Sequence, residues 1–130
     1  MSAVVDSASK PLILIAEDDP NILISLDFLL SNAGYRVITA AHGEAALATF
    51  DYESPTLLVL DVMLPMIDGL EICKRVRANP ALTKTKVLML SARGRESEIA
   101  EGLKLGADAY MTKPFATREL LAKVRELLAL

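Results

Sequence analysis

The sequence predicts an α/β domain built as a single parallel sheet of five strands with helices on both faces. Three observations carry that prediction. Short apolar runs alternate with helix-period segments five times along the chain. The central run, Thr56 to Leu60, is apolar almost throughout, as in a strand covered on both sides. Regular alternation of strand and helix closes into a doubly wound, three-layer parallel arrangement and not into hairpins.

Each element has its own signals. Leu12 to Ala16 reads as the first strand and ends in the acidic cluster Glu17, Asp18, Asp19. Pro20 suits the first turn of a helix, with Asp19 as its N-cap. Ile22, Leu23, Leu26 and Leu30 share one face of that helix, and Asn32 and Gly34 end it. Tyr35 to Ala40 is the second strand. A short helix follows around Glu44 to Phe50, with Ala46, Leu47 and Phe50 inward. Thr56 to Leu60 leads into a loop from Asp61 to Ile67, and Asp68 is placed to cap the third helix. Its inner stripe is Ile72, Cys73 and Val76, and Asn79 with Pro80 stops it.

Val87 to Leu90 is the fourth strand and leads to Ser91. The fourth helix spans roughly Glu96 to Leu105 with a thin stripe, mainly Ile99 and Leu103, and Gly106 ends it. Ala109 to Thr112 is a short fifth strand. Lys113 and Pro114 lead into the last helix, capped by Thr117, with Leu120, Leu121, Val124, Leu127 and Leu128 inward.

The chain has 130 residues, the size of one ordinary domain, and 52% of them are hydrophobic. No apolar run approaches the roughly 18 uncharged residues of a membrane span. Residues 1–10 lack the basic opening and apolar stretch of a secretion signal and read as a disordered lead-in to a domain over 11–130. The single cysteine, Cys73, permits no internal disulfide and reads as a buried helix-face residue, so the cytoplasm is the expected compartment. A net charge of −3 provides no basic footprint for direct nucleic-acid binding. His42 reads as a loop residue, and Met63 and Met66 as local packing.

The polar residues converge. Glu17 and Asp18 follow strand one, Asp61 follows strand three, Ser91 follows strand four and Lys113 follows strand five. Ligands of open parallel sheets bind outside the carboxyl ends of the strands. Three carboxylates gathered there repel one another, and a hard cation with oxygen ligands relieves the repulsion. Mg²⁺ suits one or two carboxylates plus phosphate oxygens. Lys113 offers a point charge and Ser91 a hydroxyl to a phosphoryl group. A carboxylate can itself be the nucleophile that takes one.

The segments Leu12-Ile13-Leu14-Ile15-Ala16-Glu17-Asp18-Asp19 and Leu60-Asp61-Val62-Met63-Leu64-Pro65-Met66-Ile67-Asp68-Gly69 resemble the receiver domain of bacterial two-component response regulators. So do Leu90-Ser91-Ala92 and the run Gly106 to Phe115. All four occur in order from residue 11 onward. The resemblance implies a flavodoxin-like fold with strand order 2-1-3-4-5. It implies that Asp61 is the phosphoacceptor and that Glu17, Asp18, Asp61 and the Met63 backbone carbonyl hold Mg²⁺. Ser91 and Lys113 would contact the phosphoryl group, Ser91 and Tyr110 would switch, and the Lys113–Pro114 bond would be cis. The implied donor is a histidine kinase or histidine phosphotransfer protein, and the implied listener is an output domain or partner protein. Regulators of the winged-helix transcription class pair through salt bridges on the last two helices. Here Ile99 and Ala109 stand where charge is expected in that class, so a monomer or a weak phosphorylation-dependent dimer is expected.

Rival readings fit less well. A hydrolase of the haloacid dehalogenase kind needs a second aspartate two residues after the nucleophile, where this chain has Met63. A flavodoxin-like electron carrier would find Glu17, Asp18 and Asp19 where it binds phosphate. A dinucleotide enzyme needs a glycine-rich turn after strand one, and none is there. A receiver-like module that is never phosphorylated would not need the full constellation, and here no member is missing.

Overall fold

The computed structural model describes residues 10–92 and 96–129. The expected lead-in, apart from Lys10, lies outside the described residues. Five parallel strands, β1 (Leu12–Ala16), β2 (Arg36–Ala40), β3 (Leu57–Asp61), β4 (Lys86–Ala92) and β5 (Ala109–Lys113), form one sheet in the order β2-β1-β3-β4-β5. The connecting helices are α1 (Pro20–Asn32), α2 (Gly43–Thr49), α3 (Gly69–Ala78), α4 (Glu96–Lys104) and α5 (Thr117–Leu128). A 3₁₀ turn over Pro80–Leu82 follows α3.

Strand pleating divides the apolar residues into two cores. Leu14, Leu58, Leu60, Val87 and Met89 face one layer, with Ala46 of α2 and Ile72, Cys73 and Val76 of α3. Ile13, Ile15, Leu57, Val59, Leu88 and Leu90 face the other, with Leu26 and Leu30 of α1 and Leu120, Val124 and Leu127 of α5. Each fully buried leucine or isoleucine contributes about 1.5–3 kcal/mol, so the three central strands hold the domain together. Burial raises the Cys73 thiol above its ordinary value, which suits a packing role.

Caps follow the expected chemistry at two helices. Asp19 accepts the N–H groups of Asn21 and Ile22 at 2.9 and 3.3 Å, and Asp68 accepts that of Glu71 at 2.9 Å. Elsewhere the expectations need correction. His42 is not a plain loop residue: its Nδ1 accepts the Ala45 N–H at 3.1 Å and caps α2. Thr117 does not cap α5; it is the first helical residue, and Ala116 precedes it without a side-chain cap. Leu103 is 42% exposed, so the inner stripe of α4 reduces to Ile99 with Gly102, which packs against the Met89 side chain. Met63 and Met66 are 52% and 67% exposed and pack little. Ile99 is buried and Ala109 packs on the second core, so both serve the interior.

The edge of α3 is tied across the sheet by Arg77. Its Nε donates to the Gly106 carbonyl at 2.8 Å, Nη1 to the Thr85 carbonyl at 2.8 Å, and Nη2 to Asp108 Oδ2 at 2.7 Å. The same Asp108 oxygen accepts the Val87 N–H at 2.7 Å. Arg77→Ala is expected to lower the unfolding free energy by about 2 kcal/mol, since two carbonyls and a carboxylate lose a donor together. Arg77→Lys should recover only a minor part, because an ammonium cannot span the fork. Urea denaturation of the three proteins measures both.

Candidate functional site

Register sets the site. Ala16 is level with Leu60, so Glu17 and Asp61 emerge at the same height from adjacent strands β1 and β3. Asp61 is level with Leu90, Ser91 with Thr112, and Ala92 with Lys113, so the lysine rises from the edge strand two steps beyond. Asp61 is thus the last residue of β3 and Lys113 the last of β5; both had been expected just past the strand ends.

Carboxylate oxygens of Glu17, Asp18 and Asp61 lie within 4.8 Å of one another. Glu17 is fully buried, Asp61 is 3% exposed, and Asp18 is exposed. Lys113 Nζ stands 2.7 Å from Glu17 Oε1 and 3.2 Å from Asp61 Oδ2, bridging the two buried acids. Asp61 Oδ1 accepts the Met63 N–H at 3.1 Å, and Glu17 Oε2 accepts the Asp19 N–H at 3.1 Å. Both carboxylates are therefore held at two points each and keep a fixed orientation.

The electrostatics show where the strain lies. Burial raises the Glu17 carboxyl above its ordinary value; Lys113 and the Asp19 N–H oppose that rise, and the Asp61 charge adds to it. For Lys113, burial works to lower the pKa, but Glu17 and Asp61 together outweigh it and hold the lysine above its usual range. Glu17 Oε1 is buried and faces the Lys113 ammonium at 2.7 Å. A buried carboxylate beside two more carboxylates is a donor set suited to a hard divalent cation. Glu17, Asp18 and Asp61 fit such an ion by residue type and spacing.

The remaining expected residues are nearby, but not all engaged. Ser91 is fully buried, and its hydroxyl donates to the Ala92 carbonyl at 3.3 Å. Tyr110 is 44% exposed and lines a hollow with Thr112, Phe115, Glu119 and Lys123 on the outer edge of β5 and α5. The Lys113–Pro114 bond is cis, as the resemblance implied. One participant escaped the sequence reading. Gly43, at the start of α2, donates its N–H to the Pro65 carbonyl in the loop after Asp61 at 3.1 Å. A glycine beginning a helix gave the only hint.

Because the folded-state value of Glu17 is raised, the unfolded chain releases that proton first as pH rises. Stability contributed by neutral Glu17 is present below about pH 4.5 and is lost as pH climbs toward the raised folded value. Without divalent metal, Glu17→Gln should show a smaller decline of stability over that window than the parent protein. Urea midpoints from pH 4.5 upward measure the difference; equal slopes would contradict it.

Residues 13–125 match the family model described as response regulator receiver domain. The alkaline phosphatase synthesis transcriptional regulatory protein PhoP of Bacillus subtilis is 47% identical over 116 residues, which is 89% of this chain and 48% of that protein. The phosphate regulon transcriptional regulatory protein PhoB of Rhizobium meliloti is 41% identical over 118 residues, 91% of this chain and 52% of that one. The chain thus spans about half the length of the curated relatives it matches. Among solved structures, the BeF3-activated receiver domain of DrrB, a Thermotoga maritima protein, superposes with a TM-score of 0.84 at 36% identity, covering 93% of this chain and 99% of that one. Fold, strand order, acidic edge and these relatives agree: the chain belongs to the response regulator receiver domain family, the phosphate-accepting modules of two-component signalling.

Proposed function

We propose that Asp61 is the phosphoacceptor, with Glu17, Asp18 and the Met63 carbonyl as its partners in holding Mg²⁺. The observation that carries this reading is the Asp61 carboxylate itself. It is buried at a strand end, oriented by the Met63 N–H on one oxygen and by Lys113 on the other, and surrounded by acids that fit a cation. When bound, the ion supplies neutralisation of the carboxylates and of the incoming phosphoryl charge.

The chain's own residues do the rest. An Asp61 oxygen attacks the phosphorus of a phosphohistidine on a kinase or phosphotransfer protein. A P–O bond forms, the P–N bond breaks, and the imidazole nitrogen leaves with the electron pair. Lys113, already 3.2 Å from Asp61, turns to an oxygen of the product. Ser91 exchanges its long hydrogen bond to Ala92 for another phosphoryl oxygen. The phosphoryl group carries roughly −1.5 to −2 where the Asp61 carboxylate carried a single negative charge, and Lys113 and Ser91 share the difference. Met63 offers no side-chain proton donor or acceptor where an acid-base residue would sit. The reading is therefore of a signalling domain that keeps a covalent mark, and not of a turnover enzyme.

The mark is read on the surface of α4, β5 and α5, where Tyr110 stands, by an output domain or partner protein. The curated relatives are named as transcriptional regulators, while this chain's net charge of −3 argues against its own direct contact with nucleic acid. Among the described residues no helix is long and apolar enough to cross a membrane, and the proposal of a cytoplasmic location rests on membership of the receiver domain family.

Incubation with a small phosphodonor and Mg²⁺, read by intact mass, should add one phosphoryl group to the parent protein and none to Asp61→Asn. An unchanged gain in the variant would sink the assignment. Asp18→Ala should weaken Mg²⁺ binding by about tenfold or more by calorimetric titration; retained affinity would remove Asp18 from the ligand set.

A further inference from the structure

The loop between Asp61 and Asp68 carries the groups that orient the acceptor, yet it crosses the surface without regular structure. Its first residue, Val62, still pairs with the sheet, donating to the Leu90 carbonyl at 3.0 Å. Three further hydrogen bonds tie the loop down. Met63 donates to Asp61 Oδ1 at 3.1 Å, Gly69 donates to the Val62 carbonyl at 2.9 Å, and Gly43 of α2 donates to the Pro65 carbonyl at 3.1 Å. Of these three, only the last reaches beyond Asp61, the loop and α3. Beside it lies a sharp turn, closed by the Ile67 N–H on the Pro65 carbonyl at 2.9 Å, with Met66 at φ 74°.

Gly43 meets that turn through bare backbone. It is buried, and a Cβ built on it would overlap the Ile67 carbonyl oxygen and lie 2.7 Å from Ile67 Cβ and 2.9 Å from its carbonyl carbon. What would have to retreat is main chain, not the tip of a flexible side chain. Gly43 itself is not at positive φ, so its own backbone would accept any residue. Its neighbour His42 fixes the helix start through the cap on Ala45, which sets the position of the Gly43 N–H. The requirement for glycine therefore comes from the loop and not from the helix.

We infer that Gly43 is a positioning residue for phosphoryl acceptance: the start of α2 clamps the Pro65–Ile67 turn and through it holds Met63 against Asp61. The inference rests on the reading of Asp61 as acceptor. It adds α2, on the far side of the first core from α4, to the elements that set the geometry of the site.

The test compares the parent chain with Gly43→Ala and with Gly34→Ala, each metal-free, by amide hydrogen exchange and then by phosphoryl gain from acetyl phosphate with Mg²⁺. Alanine is a better helix former than glycine, so α2 alone should not suffer in Gly43→Ala. Gly34 sits at φ 101° and a Cβ added there would meet nothing within 4 Å, so its replacement strains the chain far from the loop. In Gly43→Ala, protection of the Met63 and Gly69 amides should fall about tenfold or more while β1, β3 and β4 keep theirs, and the rate of phosphoryl gain should fall by a similar factor. In Gly34→Ala, loop and sheet should change together. Four results would overturn the inference. These are loop protection unchanged in Gly43→Ala, a loss shared equally by loop and sheet, a loosened loop with an unchanged rate, or collapse of the fold. If the parent chain gains no phosphoryl group, the reading of Asp61 fails, and the exchange comparison alone decides whether Gly43 holds the loop.

Discussion

The crowding of Glu17, Asp18 and Asp61 around one point is the constraint on which the carboxyl edge depends. Two like charges about 4 Å apart repel by about 4 kcal/mol at an effective dielectric constant of 20. The buried pair, Glu17 and Asp61, bears most of this repulsion, because Asp18 is exposed and screened by water. Lys113 offsets part of this by facing both buried acids, and the N–H groups of Asp19 and Met63 offset a little more. Burial, with a smaller addition from the Asp61 charge, still leaves the Glu17 carboxyl raised. By residue type and spacing the cluster fits a divalent cation, which would neutralise it further.

The sheet makes the crowding possible. Parallel strands buried on both faces place their carboxyl ends side by side, so a one-residue change of register would turn Asp61 into the core. The pairing of Ala16 with Leu60 and of Asp61 with Leu90 prevents that. The apolar runs that fix this register are also what made the site legible beforehand. Glu17, Asp61 and Lys113 stand immediately after or at the end of strands whose apolar character is unmistakable in sequence, so their convergence could be read without coordinates. The caps Asp19 and Asp68 were legible for the same local reason, since a short acidic side chain before a helix has one common use.

What escaped depends on contacts between distant segments. His42 is not a usual cap, and its role follows from the extended backbone that turns its imidazole onto Ala45. Thr117 looked like a cap by residue type, but the chain leaving Pro114 is already helical at Thr117, which leaves the cap position to Ala116. Leu103 belongs to the apolar spacing of α4 yet points outward, because Gly102 brings the helix against Met89 and leaves no room for a second inward stripe. Arg77 shares α3 with Lys74 and Arg75, and only the folded chain brings Gly106, Thr85 and Asp108 to it.

The two helices beside β4 and β5 are held with unequal strength, and this bears on how a mark at Asp61 would be read. Helix α5 inserts Leu120, Val124 and Leu127 into the second core, worth about 1.5–3 kcal/mol each. Helix α4 offers Ile99 and the bare surface of Gly102, with Leu103 outside. A phosphoryl group can shift a two-state equilibrium only by the difference in its interaction with the two states, a few kcal/mol at most for new contacts to Ser91 and Lys113. That is comparable to the burial of one aliphatic side chain and too little to extract three. The proposed switch therefore has α4 as its moving part and α5 as the wall it moves against. Tyr110 lies on the edge strand β5 and is 44% exposed.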